Sequence, residues 1–333
     1  MNTATALPVY LLTGFLGSGK TTLLSRLVHS PAFQDTAVII NEFGEVGLDH
    51  LLLGQADDSD VVLLDSGCLC CASSSSLADT LESLYYRRQR GELPPFARVV
   101  IETSGLADPG PVINTLASDT LIARHYRFAG AVATLDAVHG VQSVHDYREA
   151  ATQIAIADRI ALTKTDIAAP SSIAAARQLL QERNPTASVL PTTPANIEQS
   201  APALFADLQA GHLDAVPAQP SGPATPIAHV LRYGIASYIW RQADPIGWEA
   251  YARWVRYLQL HLGERLLRVK GLLRWSDGSL RAVHGVHHLF NAPEPLCGPA
   301  AASSQAGALV VIARDLSAEE LADAMLQLQA HAT

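Results

Sequence analysis

The chain has 333 residues, 48% of them apolar and 17% charged, which suits one large or two ordinary folded domains and excludes a disordered protein. Its net charge of −9 argues against a nucleic-acid partner, because phosphate backbones recruit basic surfaces. No apolar run is long enough to span a bilayer, and the opening MNTATALPVYLLTG lacks the basic flank of a leader peptide, so the expected setting is cytoplasmic, without a membrane partner.

In chain order, PVYLL reads as a buried strand and KTTLLSRLVHS as the helix after it. Between them GFLGSGKTT, Gly14 to Thr22, fits G-x-x-x-x-G-K-[ST]. A chance Gly-rich turn also fits that string, but a strand before it and a helix after it favour a phosphate loop. The backbone N–H groups of Gly17, Ser18, Gly19, Lys20 and Thr21 would wrap phosphates at the helix N-terminus. Lys20 would reach the terminal phosphates and the Thr21 hydroxyl would bind Mg²⁺.

TAVIIN follows as a strand and leads into NEFGEVGLDHLLL, where Glu42, Glu45 and Asp49 are candidates for Mg²⁺, for orienting an attacking water or for donating a metal ligand. DVVLLD is the next strand, and DSGCLCCASSSS is expected as a loop beyond it, at the carboxyl edge of the sheet. It holds Cys68, Cys70 and Cys71, three of the chain's four cysteines. A disulfide between adjacent residues is strained, and a redox pair needs only two thiols. A closed zinc site takes four ligands, usually as two separated pairs, and there is no second C-x-x-C. Three thiolates leave a coordination position open, and such an open, soft, exchangeable site suits Zn²⁺, Co²⁺ or Cu⁺.

ARVVIE ends on Glu102, and TSG follows with Gly105. In a phosphate-loop fold this is where an acid sits near Mg²⁺ and where a glycine amide senses the γ-phosphate. GAVATLD and RIALTK are further strands, the latter running into TKTD, Thr163 to Asp166. A carboxylate at Asp166 accepts two hydrogen bonds from guanine, which adenine cannot supply, so the motif favours guanine; the Lys164 stem lies along the base. SSIAAARQLLQER reads as a helix and ASVLPT as a strand, which completes a doubly wound, mostly parallel α/β domain over residues 1–210.

GHLDAVPAQPSGPATP, residues 211–226, reads as a linker. Residues 227–333 then read as a small α+β domain with an antiparallel sheet. Its helix DPIGWEAYARWVRYLQLHL carries an aromatic stripe at helical spacing, which is read as core. The last helix starts where Ser317 stands three residues before Glu320, a capping box. VHGVHHL is read as strand, which would put His284 and His288 on one face and His287 on the other; packing is the favoured role, auxiliary metal ligation the alternative. The lone Cys297 is read as packed.

With GFLGSGKTT, GCLCC, ETSGLADP and TKTD in this order, the sequence resembles the CobW family of P-loop GTPases over nearly its whole length, and RVKGLLRW and VHGVHHL resemble the family's C-terminal domain. The resemblance implies slow, Mg²⁺-dependent hydrolysis of GTP to GDP and a zinc or cobalt site. It also implies metal delivery to a client metalloprotein or a role in metal homeostasis. On this chain it implies phosphate contacts from Gly17 to Thr22, Glu102 as the Walker B-type acid, and metal contacts from Cys68, Cys70 and Cys71; with the residue reading above, Lys20, Glu42 and Glu102 are the expected catalytic residues. Lys164 and Asp166 are then the guanine readers; Thr163 departs from the Asn common among GTPases, which bears on that side chain's contact and not on the base preference. The C-terminal domain is expected to serve either as a client-binding surface or as the interface of a homodimer. Two competing readings are an ATP-dependent small-molecule kinase, which would prefer ATP and need a phosphoacceptor, and a metal-sensing regulatory GTPase that delivers nothing.

Overall fold

The computed structural model describes residues 6–41, 61–63, 69–72, 76–205, 225–227, 233–296 and 306–329. The chain divides into two compact units, and the division is not a single cut. The first takes in residues 1–153, 157–176 and 189–207, and the second takes in 154–156, 177–188 and 208–333.

The first unit is built on strands β1 (Leu7–Gly14), β2 (Thr36–Asn41), β3 (Val61–Leu63), β4 (Leu69–Ala72), β5 (Arg98–Thr103), β6 (Tyr126–Asp136), β7 (Arg159–Thr163) and β8 (Ser188–Thr192). Their order in the sheet is β3-β4-β2-β5-β1-β6-β7-β8. Six of them, β4 through β7 in that order, run parallel, and β3 pairs antiparallel to β4. The central strands are apolar almost throughout because helices cover both faces. Helix α1 (Lys20–Leu27) buries Leu23, Leu24 and Leu27 on one face of the sheet, beside Tyr10, Leu12 and Phe33. The remaining helices are α2 (Leu77–Gln89), α3 (Gly110–Ser118), α4 (Thr120–His125), α5 (Gly140–Asp146), α6 (Arg148–Ile156), α7 (Pro170–Arg183) and α8 (Ile197–Leu204).

One expectation is corrected here. The cysteines were expected on a loop past the strand VVLLD, but Cys70 and Cys71 lie inside β4, paired with Val38 and Ile39 of β2. The hairpin β3–β4 explains this: cysteine behaves as a small apolar residue, so LCCA serves as strand. Register then fixes the height of that strand. Ala72 pairs with Ile40, Ile40 with Glu102, and Glu102 with Leu12, so the end of the cysteine strand, the end of β5 and the approach to the phosphate loop share one row.

The second unit is an antiparallel sheet of β9 (Thr225–Ile227), β10 (Ile235–Arg241), β11 (Leu266–Arg274), β12 (Leu280–Val286), β13 (Leu289–Phe290), β14 (Glu294–Pro295) and β15 (Ala308–Arg314). The order is β13-β12-β11-β15-β10-β9, with β14 on β12. Helix α9 (Trp248–His261) packs Tyr251, Trp254 and Leu258 into its core, so the aromatic stripe is core, and α10 (Ala318–Gln329) adds Leu321, Ala324 and Met325. The capping box is formed: Glu320 N–H donates to Ser317 Oγ at 3.1 Å and Ser317 N–H to Glu320 Oε2 at 2.9 Å. Strand β11 carries two buried cations. Arg268 donates to the Ile156 carbonyl at 2.6 Å and Lys270 to that of Thr186 at 3.2 Å, which ties the outlying segments into this unit.

Two further readings change. Strand β12 ends at Val286, and His287 turns the chain with φ 49°, so His284 and His288 are not on one strand face. Histidine is among the residues that tolerate this left-handed turn. Thr225 and Pro226, read as linker, belong to β9.

Candidate nucleotide site

The phosphate loop leaves β1 at Gly14, whose φ of 141° turns the chain out of the sheet. A Cβ there would sit 2.1 Å from Thr134 Oγ1 and 2.7 Å from the Thr134 carbonyl oxygen, so β6 has room only for glycine. Ser18 closes the turn: its N–H and its hydroxyl both donate to the Phe15 carbonyl, at 3.1 and 2.6 Å. The same hydroxyl lies 2.6 Å from Thr134 Oγ1. Gly19, in the left-handed region at φ 97°, caps α1. Lys20, 8% exposed, donates to the carbonyls of Gly14 at 2.7 Å and Phe15 at 3.4 Å, so its ammonium lies inside the curve of the loop. Thr21 is half-buried and Thr22 exposed.

Beside β1, Glu102 is the penultimate residue of β5, at 5% exposure and one strand from the loop. Thr103 donates to Thr13 across the same pair of strands, at 2.9 Å. Gly105 packs on the phosphate loop itself, since a Cβ on it would meet Leu16 N at 2.9 Å and Leu16 Cα at 3.1 Å. Thr21 and Glu102 are a hydroxyl and a carboxyl of the kind Mg²⁺ takes, the first on α1 directly after the loop and the second on the strand paired with β1.

The base motif is joined to the phosphate loop through Thr163. Its hydroxyl donates to the Ser18 carbonyl at 2.7 Å, with the Leu135 carbonyl 3.2 Å away. The residue that departs from the usual Asn therefore forms a bridge to the phosphate loop. Lys164 follows with φ 57°, and its Nζ pairs with Asp136 Oδ2 at 2.6 Å. Asp136 is the site residue that the motifs did not single out, although an acid at the carboxyl end of GAVATLD was the available signal. Its other oxygen accepts from Val138 N at 2.7 Å and His139 N at 3.3 Å. Burial pushes its carboxyl up; the Lys164 hydrogen bond, the two amides and the Lys164 charge together hold it below the usual carboxylate value. Asp166 is exposed, two residues past Lys164.

The structure thus gathers Gly17 to Thr22, Glu102, Gly105, Thr163, Lys164 and Asp166 at the carboxyl edge of one sheet, the position where ligands bind in such folds. Glu42, Glu45, Asp49, Cys68 and Cys297 lie outside the described residues. Among the described residues no group of three His, Cys, Asp or Glu is placed to hold a metal ion, and no helix is long and apolar enough to cross a membrane.

The family model described as CobW/HypB/UreG, nucleotide-binding domain, matches residues 8–191, and that of the Cobalamin synthesis protein cobW C-terminal domain matches residues 235–329. The zinc chaperone YjiA of Escherichia coli is 34% identical over 289 residues, covering 85% of this chain and 87% of that protein. The zinc-regulated GTPase metalloprotein activator 1 of Schizosaccharomyces pombe is 32% identical over 198 residues, 58% of this chain and 47% of that protein. The crystal structure of Zn(II)-bound YjiA GTPase superposes with a TM-score of 0.70 at 30% identity, covering 97% of this chain and 99% of that one. The chain belongs to the CobW family of P-loop GTPases.

Proposed function

We propose that this GTPase is a metallochaperone: it carries zinc as cargo on the cysteine strand and hands it to a client metalloprotein under control of the GTP cycle. The observation that carries this reading is the shared row, in which β4 ends level with Glu102 and with the approach to the phosphate loop. An ion held at Cys68, Cys70 and Cys71 would sit two strands from Glu102. The relatives named zinc chaperones support zinc over cobalt as cargo.

In this scheme GTP enters with its phosphates wrapped by Gly17 to Thr22 and its base read by Asp166. Lys20 exchanges its loop carbonyls for phosphate oxygens, so the site holds a preformed positive charge where phosphate charge accumulates. Thr21 and Glu102 would hold Mg²⁺, Glu102 through water; the ion neutralises charge on the β- and γ-phosphates. Thr163 transmits base position to the phosphate loop through the Ser18 carbonyl. Glu42 and Glu45, on the segment after β2, are the acids assigned to orient water or complete the metal sphere. The thiols require a reducing compartment, for which we assign the cytoplasm.

Zinc titration with GDP and with a non-hydrolysable GTP analogue tests the coupling, on wild type and on a variant with Cys68, Cys70 and Cys71 all changed to Ser. Tighter zinc binding in the GTP state, lost in the variant, is the expected result. Equal affinity in both nucleotide states would leave a nucleotide-independent metal site and overturn the coupling.

A further inference from the structure

The loop TSGLADP, residues 103–109, is anchored at three points. Thr103 bonds Thr13 at its start, and Asp108 Oδ1 accepts Gly110 N–H at 2.9 Å at its end. Its middle is held by a residue from another helix. Gln153, on α6 and fully buried, donates from Nε2 to the carbonyls of Gly105 and Ala107, both at 3.1 Å. The amide orientation follows from chemistry: with two carbonyls facing it, only the NH₂ end makes attractive contacts. Its Oε1 is buried and accepts no donor among the described residues, an arrangement that costs free energy and brings no packing gain that a Leu or Met would not match.

Holding the Gly105 carbonyl fixes the Gly105–Leu106 peptide plane, and with Thr103 bonded to Thr13 at the start of the loop the intervening Ser104–Gly105 peptide, which carries the Gly105 N–H, is held between two anchors. Gly105 also packs against the Leu16 backbone of the phosphate loop. The glycine is therefore clamped between α6 and the phosphate loop. We propose that Gln153 is a positioning residue for GTP hydrolysis: its carboxamide holds Gly105 where that residue's N–H meets the third phosphate, so Gln153 sets how well the site tells GTP from GDP. This rests on the GTPase site reading above, with Gly105 as the γ-phosphate sensor.

The test compares GDP and GTPγS affinity and GTP turnover in wild type, Gln153→Met and Gln153→Glu. In Gln153→Met, GDP affinity stays within about twofold, while GTPγS affinity and kcat each fall about tenfold, as expected for two hydrogen bonds lost to the loop that touches only the third phosphate. Equal weakening of both nucleotides would mark Gln153 as merely structural and overturn the proposal, as would no change in either. If Gln153→Met does not fold, the isosteric Gln153→Glu decides. Its carboxyl donates one bond when protonated and none when ionised, so its preference for GTPγS should fall from pH 5 to pH 8 relative to wild type at each pH. A ratio to wild type that is flat with pH overturns the proposal. Failure of the site reading is distinct: wild type itself would then show no preference for GTPγS over GDP, or none for guanine.

Discussion

The Lys164–Asp136 pair offers a clean perturbation of the proposed base recognition. Asp136→Asn keeps Oδ1 as acceptor for Val138 N and His139 N, and replaces only the oxygen that meets Lys164 with an NH₂. Two donors then face each other, and Lys164 loses the anchor that holds its stem in place from a strained φ of 57°. A hydrogen bond to a charged group is worth about 1.5–3 kcal/mol, and solvent screening reduces this where a partner is exposed. Lys164 is 36% exposed, so about 1–2 kcal/mol is the reasoned loss, or roughly a five- to thirtyfold rise in the GDP Kd. Fluorescent-nucleotide titration measures it, with pyrophosphate affinity as the internal control because the phosphate loop is untouched. The pH dependence has a definite sign. Asp136 is depressed below its unfolded value, so the pair contributes fully above the ordinary carboxylate range and is lost as pH falls through the depressed folded value. Wild-type GDP affinity should therefore show no loss from this pair between neutral pH and pH 5. A GDP Kd in Asp136→Asn within twofold of wild type would refute the assignment of Lys164 to the base.

Three other outcomes follow from the geometry. Gly14→Ala should unfold the first unit or lower its stability by more than about 3 kcal/mol, because the backbone is left-handed and the new Cβ meets a carbonyl oxygen at 2.7 Å; thermal melting with and without GDP reads it. Thr163→Val keeps shape but removes the donor to the buried Ser18 carbonyl, so it should cost about 1–3 kcal/mol in urea unfolding and weaken GDP binding in parallel. Ser317→Ala removes the N-cap of α10 and should cost about 1 kcal/mol in stability with no change in GTP turnover, which a paired melt and phosphate-release assay would check.

Much of this protein was legible in its residues. Continuous apolar runs such as PVYLL and RVVIE can bury both faces only inside a parallel sheet, and a glycine-spaced loop between strand and helix has few physical uses other than holding phosphate. The antiparallel second unit, the aromatic core of α9 and the Ser317–Glu320 cap were equally local in origin, each set by a period or a spacing along the chain. What local pattern misjudged was the cysteine segment. LCCA has no alternation to reveal a strand, and it becomes one because β2 and β3 offer it hydrogen-bonding edges. The His287 turn was hidden for a similar reason, since a histidine in the left-handed region leaves no mark in composition. Asp136 and Gln153 lay still further out of reach. Asp136 meets Lys164 from 28 residues away, and Gln153 meets Gly105 from 48. Side-chain chemistry along the chain thus determined the nucleotide class and the architecture. Only the folding of distant strands onto one edge decided which acid holds Lys164 and which amide holds Gly105, because those contacts exist only once the sheet has set its register.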